Sequence, residues 1–81
     1  MRKLTKAQKE ATLRSLEDQF MMTLTAFDDW KGMFITKREA KGASRYCRSV
    51  LGAFIALGGD KYEIQTMKEA LERMEEEIKT L

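Results

Sequence analysis

Apolar residues recur at intervals of three and four in three separate stretches of this chain, the spacing of one face of an α-helix. The first stretch, Leu13, Leu16, Phe20, Leu24, Phe27 and Trp30, predicts a long helix 1 over about residues 5–31, and Phe34 continues its spacing. The second, Ala40, Ala43, Cys47, Val50, Phe54 and Leu57, predicts helix 2 over about 36–57. Tyr46, Leu51, Ala53 and Ile55 widen that stripe, so helix 2 is expected to lie between two neighbours. The third, Ile64, Met67, Leu71, Met74, Ile78 and Leu81, predicts helix 3 over about 60–80.

Punctuation agrees with the periodicity. Thr5, Thr36 and Asp60 each stand three residues before Gln8, Glu39 and Glu63, the spacing at which a side chain caps a helix start. Gly32 and the Gly58-Gly59 pair supply helix stops, and there is no proline to interrupt a helix elsewhere. A two-glycine connection folds helices 2 and 3 into an antiparallel hairpin. The expected fold is all-α: a single helical domain over residues 1–81, an antiparallel up-down-up three-helix bundle with a long first helix and a central, mostly buried second helix.

Composition narrows the chemistry. With 81 residues, no His and one Cys, the chain lacks the groups for His-based acid–base catalysis, a disulfide framework or a Cys/His metal site. No enzyme activity, cofactor or metal is expected. Cys47 lies on the apolar stripe and reads as a small buried hydrophobe. Asp28 and Asp29 diverge by about 100° around a helix and make a poor chelating pair. Trp30 and Phe34 read as a lid on the core and, if exposed, as a binding hot spot. The longest apolar run, Val50 to Leu57, is too short to span a bilayer, and no signal region follows the basic start, so a cytoplasmic location and no membrane partner are expected.

Charge is the remaining signal. The net charge is only +2, but it is distributed in blocks: +4 over residues 1–14, −4 over 15–30, +5 over 31–48 and −3 over 49–81. Arg38, Lys41, Arg45 and Arg48, with Lys37, share the face of helix 2 opposite its apolar stripe, and Arg2, Lys3, Lys6 and Lys9 form a basic start to the chain. These residues are a candidate face for nucleic acid or an acidic partner. A helix-turn-helix reading fails, because Gly42 is misplaced for its turn and no second recognition helix remains. Counting symmetrically outward from Gly58-Gly59 places Lys41 beside Glu77, Arg45 beside Glu72 and Glu76, and Arg48 beside Glu69. Glu17, Asp18, Asp28 and Asp29 of helix 1 are expected at the same pole, so the basic face is expected to be largely neutralised.

A sparse second stripe on helix 1, Leu4, Ala11, Met22 and Met33, lies opposite the core face. A domain this small buries only about 60% of its unfolded surface and often gains stability by association. Antiparallel contact between two copies of helix 1 would set each basic half against an acidic half, which favours a homodimer. The functional expectation is a protein-binding module that regulates, adapts or inhibits a larger protein, of the size seen in bacterial, phage or mobile-element accessory proteins. Nucleic-acid binding through helix 2 and the basic start is the alternative.

Overall fold

The computed structural model describes residues 4–30 and 36–81. It is a three-helix bundle of α1 (Lys6–Trp30), α2 (Lys37–Ala56) and α3 (Lys61–Lys79), running up, down and up. The expected end of helix 1 at Lys31 and the stop at Gly32 lie outside the described residues. All three starts are capped as their sequences require. The Thr5 amide donates to Gln8 Oε1 (3.0 Å) while the Gln8 amide donates to Thr5 Oγ1 (3.1 Å), closing a reciprocal capping box. The Glu39 amide donates to Thr36 Oγ1, and the amides of Tyr62 and Glu63 both donate to Asp60 Oδ2.

The turn between α2 and α3 is a Schellman motif. Gly58 takes φ +80°, its amide donates to the Ile55 carbonyl, and the Gly59 amide donates to the Phe54 carbonyl. Gly58 is needed for that left-handed conformation. Gly59 is needed for space: a Cβ there would stand 2.1 Å from the ring of Phe54, which is fully buried.

The core joins Phe20 and Phe27 of α1 to Ala40, Cys47, Val50, Leu51 and Phe54 of α2 and to Met67, Ala70, Leu71, Met74 and Ile78 of α3. Leu13, Leu16, Leu24 and Ile64 pack against it partly buried. Helix α2 contacts both neighbours extensively, whereas α1 and α3 barely meet. The central position expected for helix 2 is therefore observed. Among the described residues no helix is long and apolar enough to cross a membrane.

Three core expectations are corrected. Trp30 is 57% exposed and lids nothing. The Tyr46 hydroxyl donates to Gln19 Oε1 at 2.9 Å and ties α1 to α2. Tyr46, Ala53 and Ile55 are exposed rather than core-widening. The two neighbours approach α2 from adjacent sides, so its buried arc from Val50 to Ser44 covers only about a third of the circumference. Leu81 also stays outside, 42% exposed beyond the end of α3.

Gly59→Ala should destabilise the bundle by about 1–3 kcal/mol, the cost of overpacking a filled core site. Gly42→Ala, at a helical position open to solvent, should leave the melting temperature unchanged or raised. Thermal unfolding of the two variants by circular dichroism checks this contrast.

Candidate functional site

Three surfaces carry the candidate residues. The first lies along α1. Leu4 and Ala11 are exposed, and Met22 is 72% exposed, so the stripe opposite the core faces solvent as its spacing indicates. Asp18 and Thr25 interrupt it. Met33, Phe34, Arg2 and Lys3 lie outside the described residues. The apolar surface that the sequence left unnoticed is Met21, half exposed beside Met22 on the wall of a groove.

That groove follows from the divergence of α1 and α3. Phe20, Met21 and Leu24 form one wall, and Met67 and Ala70 the other, around about 420 Å³. It continues into a second hollow of about 240 Å³ past Leu24, Ala70 and Met74 to Asp28 and Glu77. Among the described residues, the two hollows are rimmed by Glu69, Asp28 and Glu77 together with Arg73, so the groove is apolar inside and charged at its edge.

The second surface is the α2–α3 seam. The Arg48 guanidinium holds both oxygens of Glu75 at 2.7 Å. Lys41, Arg45 and Lys79 share a hollow of about 300 Å³ with them, floored by Ser44 and Ile78. The expected neutralisation is thus corrected. Arg48 meets Glu75 instead of Glu69, and neither Lys41 nor Arg45 forms an ion pair among the described residues. The carboxylate that Arg48 meets stands six residues further along α3 than the symmetric count places it. Lys37 and Arg38 are exposed, and no ion pair joins them to a described residue.

Of the α1 acids, Asp28 lies beside Glu77 at the expected pole, but Glu17 does not. Glu17 lies against Glu63 of α3, and partial burial, then that carboxylate and Asp18, raise its pKa above the ordinary Glu value. Arg14 shares a depression with Glu10, Glu17, Asp60 and Glu63, so this cation of the basic start does have acids around it. Lys6 and Lys9 are exposed. Lys9 Nζ comes up against Gly58, so the second turn of α1 lies alongside the α2–α3 turn.

Among the described residues no group of three or more His, Cys, Asp or Glu is arranged to hold a metal. Cys47 is fully buried, and burial pushes its thiol pKa up to about 11, so it packs as a hydrophobe and presents no thiolate. Compared with family models, curated proteins and solved structures, the chain matches none.

Two measurements follow from these titrating groups. Cys47 should react with a thiol reagent in the folded protein only as fast as the bundle unfolds; rapid labelling under native conditions contradicts its burial. Glu17→Gln should raise the melting temperature at neutral pH. A carboxyl whose folded pKa lies above its unfolded value favours folding when protonated and loses that contribution as pH rises through its folded pKa. The advantage of the Gln variant should therefore shrink as pH falls toward about 4, near the ordinary Glu range. Melting curves of both proteins across pH check the sign.

Proposed function

We propose that this protein is a non-enzymatic protein-binding module that associates with itself through α1. The observation that supports this reading is the open groove between α1 and α3. A bundle in which the outer two helices barely meet leaves the half-exposed Met21 and the partly buried Leu24 on a seam floored by the buried Phe20, Met67 and Met74, which a further helix can cover. Methionine side chains adapt to such an occupant at little cost.

The occupant is the first half of α1 from a second copy. That segment carries Leu4, Ala7 and Ala11 at helical spacing and the exposed cations Lys6 and Lys9. The groove presents apolar walls and the carboxylate of Glu69 at its rim. In an antiparallel two-fold contact each copy supplies both the basic segment and the groove, so the interface closes on itself. The small apolar area sets a micromolar affinity, and charge complementarity fixes the register more than it adds strength.

Sedimentation over about 10–200 μM is the test, a range that brackets a micromolar dissociation constant. The parent should move from monomer to dimer, with the transition shifted to higher concentration by salt. Met21→Glu on the groove wall should hold the chain monomeric with helicity intact. A parent that stays monomeric throughout, or a Met21→Glu variant that dimerises like the parent, overturns the proposal.

A further inference from the structure

The solvent face of α2 is a second binding surface, separate from the α1–α3 groove. Taking Arg45 as its centre, the residues within about 60° of it around the helix are Arg38, Lys41, Gly42, Arg48, Ser49, Gly52 and Ala56. All seven are exposed, as is Arg45 itself. Every one is either a cation or one of the three smallest polar or apolar residues, and none is acidic. The two glycines have nothing within 4 Å of where a Cβ would stand, so no packing inside the bundle calls for them. Each glycine weakens an exposed helix by about 1 kcal/mol relative to alanine. What they do provide is a low surface between the cations, over which another molecule can approach the helix backbone closely.

The cations are also available. Lys37, Arg38, Lys41 and Arg45 form no ion pair among the described residues, while Arg48 alone is held, by Glu75. From Arg38 to Arg48 the charges extend along about 15 Å of helix at 1.5 Å per residue. We infer that this face docks along the phosphate backbone of a nucleic-acid duplex, the cations meeting successive phosphates and the glycines admitting the backbone between them. Phosphate contacts of this kind position a protein on a duplex without reading its sequence. A duplex is favoured over an acidic protein because a straight, rigid row of cations with no apolar residue larger than alanine between them matches a regular line of charge.

The probe is a fluorescent 20-base-pair DNA duplex titrated with the full chain at about 50–200 mM salt, the range over which phosphate contacts reveal themselves. With four free cations engaged, the logarithm of the binding constant should fall against log salt with a slope of about −3 to −4, roughly a hundred-fold loss across that range. Lys41→Glu with Arg45→Glu should abolish binding while keeping the melting transition. Glu75→Gln frees Arg48, so it should tighten binding several-fold and steepen the slope by about 1. Gly42→Leu fills open space in the monomer, so it should keep the fold yet weaken binding. The inference is overturned by no binding at the lowest salt, by binding indifferent to the Lys41 and Arg45 reversal, or by a Glu75→Gln variant no tighter than the parent. It is equally overturned if poly-glutamate of matching charge binds as tightly as the duplex, which would assign the face to an acidic protein. Dimerisation through α1 is read in a separate experiment, so either result leaves the other standing on its own.

Discussion

The bundle depends on one constraint: among the described residues, α2 is the helix whose apolar face meets both of the others extensively. Phe20 and Phe27 from one side and Met67, Leu71, Met74 and Ile78 from the other close over Cys47, Val50, Leu51 and Phe54. Because α1 and α3 barely touch, neither can hold the other in place without α2 between them. The Schellman turn serves the same constraint. It brings Gly59 against the buried Phe54 ring, so the connection that sets α3 on α2 is fixed by a core side chain as well as by backbone bonds.

Function follows from what that arrangement leaves uncovered. A third of the circumference of α2 meets its neighbours, and the rest is free to carry cations, glycines and alanines. The divergence of α1 from α3 opens a groove with the half-exposed Met21 on its wall and Glu69 at its rim. The two surfaces have opposite charge and lie on different helices. A bundle that docked on a duplex through α2 would still present its α1–α3 groove to a second copy, so self-association would add phosphate contacts without using the same residues twice.

The helices and most of the core were legible in the sequence because three- and four-residue spacing and capping residues are local signals. Phe20, Phe27, Cys47, Phe54, Met67, Met74 and Ile78 all fall where periodicity places them. What was misread depends on geometry between helices. Trp30 keeps the period of its stripe but is left 57% exposed at the end of α1. Tyr46 and Ile55 belong to a stripe wider than two adjacent neighbours can cover. Ser44 is buried among apolar residues because its position faces α3, which a hydropathy pattern does not register. The Arg48–Glu75 pair and the Glu17–Glu63 contact were missed because block charges say which segments attract and not where along the axis the side chains meet. Met21 gave no signal in the sequence, because its place on a groove depends on the separation of α1 and α3.

Native-state hydrogen exchange tests the central role of α2 most directly, because it ranks the opening free energies of the three helices within one folded protein. The amides of Cys47 to Phe54 should exchange only through global unfolding and be the slowest in the chain, while those near Lys6 to Ala11 exchange through local fraying. Slower exchange in α1 or α3 than in α2, or an opening of α2 that leaves the other two helices protected, would contradict the account.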